Sequence, residues 1–166
     1  MALEIERLLD ETGWQILQEL QQNARLSFSE LGQRVGLSSP AVTERVRRME
    51  DAGIIAGYRA EINTAKVGYP VTAIIRMSAQ GDCRQLNATV SAFPEVLESY
   101  RVTGGDSVIM KVIATSVVHL EEIIDRLSTH GSPTTSIVLS APVRKKHITG
   151  VDDTMKYEED IHKSVH

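Results

Sequence analysis

One cysteine, Cys83, stands in 166 residues. That excludes an internal disulfide and a cysteine-rich zinc site, and it suits a reducing cytoplasm. No run of eighteen apolar residues occurs, so no membrane span is expected. The opening MALEIERLLDE is acidic and amphipathic, unlike a signal or transit peptide. Positive charge is also scarce. The chain carries a formal −4, and residues 1–60 hold seven Lys+Arg against nine Asp+Glu. Domains that bind nucleic acids are usually basic, so bulk charge argues against that class. There is no P-loop, no GxGxxG and no Ser-His-Asp arrangement. The five histidines, His119, His130, His147, His162 and His166, form no metal motif. His162 and His166 have i, i+4 spacing, but so near the terminus they read as a frayed tail before a zinc pair. Cys83 opens a helical stretch, where a thiol can be acidified; a packed or solvent-facing thiol is the expectation.

What is present concentrates between Ser27 and Asn63, SFSELGQRVGLSSPAVTERVRRMEDAGIIAGYRAEIN. Ser27 and Glu30 have the spacing of a capping box, so a helix is predicted to start there, with Leu31 and Val35 as its apolar stripe. Gly36 can take the left-handed conformation that ends a helix. Ser38 or Ser39 then caps a second helix, with Pro40 in its first turn. Val42, Val46 and Met49 recur at i, i+4 and i+7 and are assigned to the core. Thr43, Glu44, Arg47 and Arg48 project from the other side, Arg45 lies on a flank, and Gly53 closes the helix. Ile54 to Ile62, with Gly57 in the middle, is expected to form a short strand pair, the wing. Two helices, a glycine turn and a wing make a winged helix-turn-helix, which places a helix in the DNA major groove. Arg45, Arg47, Arg48 and Arg59 cluster locally. A Debye length of about 8 Å lets such a patch act despite acidic surfaces elsewhere.

Around this motif, Leu3 to Asn23 reads as mostly helical, with Ile16, Leu17 and Leu20 on one face and Gly13 as the break. The second half changes period. Val71 to Ser78 alternates as a strand, and Cys83 to Phe93 is a helix ended by Pro94. Val96 to Val102 and Val108 to Ala114 are strands around a Thr103–Ser107 turn. Val117 to Leu127 is a helix, broken by Gly131 and Pro133, and Thr135 to Val143 is a fourth strand. The order β-α-β-β-α-β is the ferredoxin-like split motif, so the fold class is α+β. The expected domains are a winged helix-turn-helix over 1–62, a linker over 63–70, a ferredoxin-like domain over 71–147 and a charged tail over 148–166.

Together these segments resemble a known family. LLDETGWQILQELQQNAR, ELGQRVGLS, VTERVRRMEDAGIIAGYRAEIN and the RVTGGDSVIMKV hairpin make residues 9–147 similar to the leucine-responsive regulator/AsnC, or feast/famine, transcription factors. The resemblance implies an N-terminal DNA-binding domain and a C-terminal domain for amino-acid effectors and oligomerisation, with no resident cofactor. On the chain's own residues, DNA contact is expected from Ser38, Ser39, Thr43, Glu44, Arg45, Arg47, Arg48 and Arg59. The resemblance places effector contact between subunits, at Thr103, Gly104, Gly105, Asp106 and Ser107, with Ser136, Ile137, Val138 and Leu139 as a further wall. The expected partners are double-stranded DNA, further copies of the chain and a small amino-acid-like molecule, in the cytoplasm and away from membranes.

The chain departs from the family pattern in three places. Gly13 stands where LDxxDxxIL has its second aspartate. In the turn, Ser107 occupies the customary aspartate position and Asp106 lies one place earlier. The tail beyond His147 is long. Plainer readings stand beside each assignment. The arginines can form a solvated face paired with Glu44, Glu50 and Asp51, and the Thr103–Ser107 glycines can serve only a hairpin. Two other function classes share the architecture: a siroheme decarboxylase-like enzyme, and an amino-acid sensor subunit that does not bind DNA.

Overall fold

A computed structural model describes residues 2–79, 83–144 and 146–150. The chain divides into two compact units, one comprising 1–60 with 143–166 and the other 61–142.

The first unit begins with α1 (Ala2–Leu8) and α2 (Glu11–Gln22). The break between them falls at Leu9–Asp10, not at the expected Gly13. Asp10 caps α2 by accepting from the Gly13 N–H at 2.8 Å. Gly13 sits buried inside α2 for a different reason: a Cβ there would lie 1.8 Å from the Leu8 carbonyl oxygen, so only glycine lets the end of α1 approach so closely.

Next come α3 (Phe28–Val35) and α4 (Ser39–Asp51). The capping box at Ser27 is complete. Its hydroxyl accepts from the Glu30 N–H at 3.2 Å, and Glu30 Oε2 accepts from the Ser27 N–H at 2.9 Å. The Ser27 hydroxyl also donates to Glu30 Oε2 at 2.7 Å, and this bond first, then the Ser27 N–H, holds the Glu30 carboxyl below the usual range. Gly36 ends α3 at φ 70°, and Ser38 caps α4 with Pro40 in its first turn. Ile16, Leu31, Val42, Val46 and Met49 are fully buried, with Leu8 and Val35 beside them. At about 1.5–3 kcal/mol for each side chain so buried, this cluster fixes how α4 is presented.

After α4 the expected strand pair is absent. Ile54 to Ile62 contains no strand. The N–H groups of Ile54 and Ile55 both bond the Met49 carbonyl, at 2.9 and 3.2 Å, and both side chains pack on the helix-turn-helix core. Residues that end a helix in this way cannot also begin a ladder. Ile54 to Ile62 therefore follows α4 without a strand pair.

The second unit opens with a 3-10 turn, Thr64–Val67, capped by Asn63 and ended by Gly68 at φ 97°, in the stretch expected to be a linker. There follow β1 (Val71–Ala79), α5 (Cys83–Ser91), β2 (Val96–Arg101), β3 (Val108–Ala114), α6 (Val117–Ser128) and β4 (Gly131–Ile137). The sheet order is β2-β3-β1-β4, and every pair is antiparallel. Ala73, Ile75, Met77, Val108, Met110 and Val112 share one core with Leu86, Val90, Leu120, Ile123 and Leu127 of the two helices. Strand alternation sends Ile74, Arg76, Ile109 and Lys111 to the opposite face.

The fourth strand is displaced from the expected Thr135–Val143. It starts at Gly131 and contains Pro133. Because β4 is an edge strand, a residue without an N–H is tolerated there. Gly131 lets two backbones meet, since a Cβ would lie 2.5 Å from the Ser78 carbonyl oxygen. Of the charged tail, residues 144 and 146–150 carry no helix. His162 and His166 lie outside the described residues.

Candidate nucleic-acid interface and effector turn

The α4 helix sorts its polar residues by direction. Ser38 is consumed as a cap, its hydroxyl accepting from the Ala41 N–H at 3.4 Å. Ser39 and Glu44 are exposed, and the half-buried Thr43 donates its hydroxyl to the Ser39 carbonyl at 2.7 Å. The three arginines have different surroundings. Arg45 is turned inward: its guanidinium pairs with Asp10 and reaches the Arg7 carbonyl at 3.5 Å. Its Nε is buried with no partner among the described residues. Burial pulls the Asp10 carboxyl up, but the Gly13 N–H and the Arg45 charge outweigh that and hold it below its usual range. Arg48 leans the same way, 3.3 Å from Glu4. Arg47 is exposed and makes no ion pair or hydrogen bond among the described residues.

At about 100° per residue, Arg47 shares its direction with Pro40, Thr43 and Glu44, opposite Val42, Val46 and Met49. Arg59, in the stretch after α4, is also exposed. Its neighbour Tyr58 donates to Glu50 Oε1 at 2.9 Å, anchoring that segment to the last turn of α4. Burial first, and then the Glu50 carboxylate, push the Tyr58 hydroxyl up to about 12. Asp10, Glu4 and Tyr58 play parts that sequence reasoning missed. Only the flank position of Arg45 hinted at an internal partner.

The Thr103–Ser107 turn is tied to the end of β1. Gly104 takes φ 112°, which disfavours any residue with a Cβ. The Ser107 N–H bonds the Met77 carbonyl at 2.7 Å, and the Ser78 hydroxyl donates to the Gly105 carbonyl at 2.9 Å. Asp106 lies 3.7 Å from Arg76, a strand residue that the sequence reading did not single out. The second expected wall lies elsewhere in the same chain. Ser136 pairs with Ile74, Ile137 pairs with Ala73, and the Val138 N–H bonds the Thr72 carbonyl at 2.8 Å. Leu139 is 96% exposed. Three to five strand residues separate this wall from the turn's anchor at Met77, roughly 10–17 Å along β1. A single copy does not bring the two sets together. Among the described residues no cluster of histidine, cysteine, aspartate or glutamate could hold a metal ion.

Comparison with known proteins matches the two halves separately. The family described as winged helix-turn-helix DNA-binding matches residues 9–56, and the Lrp/AsnC ligand binding domain matches residues 72–148. The helix-turn-helix transcriptional regulator YezC of Bacillus subtilis is 47% identical over 133 residues, covering 80% of this chain and 95% of that protein. The chain belongs to the Lrp/AsnC family of transcriptional regulators. As a family member it is a DNA-binding regulator, and the relatives it matches carry regulators' names rather than enzymes'. Two solved structures agree with the fold. Bacillus subtilis LrpC has a TM-score of 0.79 at 33% identity, covering 82% of this chain and 99% of that one. The Neisseria meningitidis regulator NMB0573, solved as its L-methionine complex, has a TM-score of 0.79 at 32% identity, covering 84% and 96%. Among the described residues no helix is long and apolar enough to cross a membrane.

Proposed function

We propose that this regulator reads DNA as a homo-oligomer through the outward face of α4, with Arg47 as its principal cationic contact and Ser39, Thr43 and Arg59 beside it. The observation that carries this reading is the division of the α4 arginines: Arg45 and Arg48 face acids of the same unit, while Arg47 faces away from the core with no partner among the described residues. A single short helix gives limited affinity, and two copies reading two half-sites is the usual solution. The sheet face bearing Ile74 and Ile109 carries none of the described helices and suits an isologous contact. Pairing copies also answers the separation of the Thr103–Ser107 turn from Ser136–Leu139, since one subunit can supply each wall.

The molecule taken there is an amino acid, supported by the L-methionine in the Neisseria relative. Backbone donors at Gly104 and Gly105 suit its carboxylate, and Asp106, drawn off Arg76, suits its ammonium group. The test is fluorescence anisotropy with duplex DNA from upstream of the chain's own gene, repeated with each of the twenty amino acids, and light scattering on the full chain. Expected are salt-sensitive binding, a shift in affinity with at least one amino acid that Asp106→Ala diminishes, and a dimer or larger assembly that Ile109→Asp disrupts. No binding to any duplex at low salt would overturn the reading.

A further inference from the structure

The chain leaves the second unit after Pro142, and residues 143–150 belong to the DNA-binding unit. This return segment is held by two independent contacts on α2. The Gln21 side-chain amide engages both backbone groups of Ile148: Nε2 donates to the carbonyl at 3.0 Å, and Oε1 accepts from the N–H at 2.7 Å. An amide that uses its donor and its acceptor on one peptide residue imitates a strand partner, and it fixes the segment's depth and direction. Two residues on, Gly150 is buried against the Trp14 indole. A Cβ at Gly150 would lie 3.3 Å from both Cε2 and Nε1 of the ring, closer than a comfortable contact. Trp14 and Gln21 are two turns apart on one stripe of α2, and the segment runs against the helix direction, with Ile148 at Gln21 and Gly150 at Trp14. The same helix buries Ile16 in the core that seats α4.

We propose that residues 146–150 form a docking strap that couples the two units energetically and carries the state of the β4 end to the DNA-binding unit. The physical reason lies in connectivity. With one covalent link, at residues 60 and 61, the units would be joined by a single hinge. A second link, anchored on α2, closes a loop and makes the position of α2 depend on what happens beyond Ile137. The signalling part of this inference rests on the effector reading of Ser136–Leu139; the coupling part does not.

Two variants of the full chain release the strap differently. Gln21→Leu removes both hydrogen bonds at a surface position, and Gly150→Val forces branched carbons against the indole. Trp14 is the only tryptophan in the chain, so its emission reports docking directly. Hydrogen exchange at the Ile148 amide reports the same event. Expected are a red-shifted emission and at least ten-fold faster exchange at Ile148 in both variants. In calorimetry, the single transition of the parent protein should split into two as the units unfold separately. Whatever amino acid shifts DNA affinity in the parent should shift it at least three-fold less in either variant, while DNA affinity without it stays within two-fold. If the parent already unfolds in two transitions, or if the variants release the strap yet unfold as one, the coupling is overturned. If no amino acid binds at all, the effector reading fails, and calorimetry still decides the strap.

Discussion

Replacing the three arginines of α4 one at a time should separate the outward residue from the inward ones. Removing one phosphate-binding cation flattens the log–log salt dependence of DNA binding by about 0.9, and a two-fold dimer doubles this to about 1.8. Between about 50 and 200 mM salt, a change of about 1.8 in slope alters the affinity ratio about 12-fold. Arg47→Ala should therefore lose most at low salt, its affinity falling about 12-fold less than the parent's over that range. Arg45→Ala should leave the slope alone, because the guanidinium already faces Asp10 and the Arg7 carbonyl. Its cost should appear in stability instead. The pair is partly exposed, with side chains 24% and 51% accessible, so it contributes about 1 kcal/mol at most. For a chain of 166 residues that unfolds in one transition, that is a fall in Tm of up to about 2–4 °C. Arg48→Ala should fall between the two. Anisotropy titrations at four salt concentrations, with thermal melts of the same proteins, measure both quantities. If Arg45→Ala flattens the slope as much as Arg47→Ala, the Asp10 pair opens on DNA and the inward assignment is wrong.

Three further outcomes are expected. Gly13→Ala gains about 1 kcal/mol of helix propensity but drives a methyl into the Leu8 carbonyl, at a cost of about 1–3 kcal/mol, so its melting temperature should fall; a rise would mean that α1 moves away at no cost. Tyr58 has its folded value raised above the ordinary 10, so its contribution to stability is complete below pH 10 and is lost as pH climbs through about 12; Glu50→Gln should bring its absorbance titration back towards 10. Asp10 is shifted the other way, so its contribution is present above pH 3.8 and lost as pH falls through its folded value; Asp10→Asn should be less stable at pH 7, with the gap closing below pH 3.8 in acid denaturation.

What was legible in the sequence was mostly local. Ser27, Glu30, Gly36, Ser38 and Pro40 mark the ends of α3 and α4 because caps act within four residues. Strand alternation likewise identified β1. The misread elements depend on distant partners. Gly131 and Pro133 look like breakers in one dimension, yet an edge strand accommodates both. Gly13 resembles a helix break until the Leu8 carbonyl is seen pressed against it. The strand pair expected over Ile54–Ile62 failed because Ile54 and Ile55, apolar enough for a strand, are taken by the Met49 carbonyl and the core. In the candidate site, the Arg45 flank position was readable, but Asp10, 35 residues away, was not. The strap has still less signal, since Gln21 and Ile148 are separated by 127 positions.

The same long-range pairing resolves the deficit of positive charge. Net charge counts residues, whereas DNA meets one face. Of the carboxylates in the first unit, Glu4, Asp10 and Glu19 each face an arginine, Glu30 completes a cap, and Glu50 holds Tyr58. These acids are committed to holding the unit together, and the arginines they face lie towards α1 and α2. Arg47 and Arg59 keep their charge on the outer side, where the field of the committed pairs is small beyond about 8 Å. Glu44 is the exception, since it projects beside Arg47 and repels phosphates. A carboxylate in that position favours base edges over backbone, because it can accept from a cytosine amino group. An interface with few cations and an outward glutamate gains little from non-specific attraction. On the proposed reading, such an interface depends on base readout and on a second copy to reach useful affinity, which a helix-turn-helix fused to an open-faced sheet would make available.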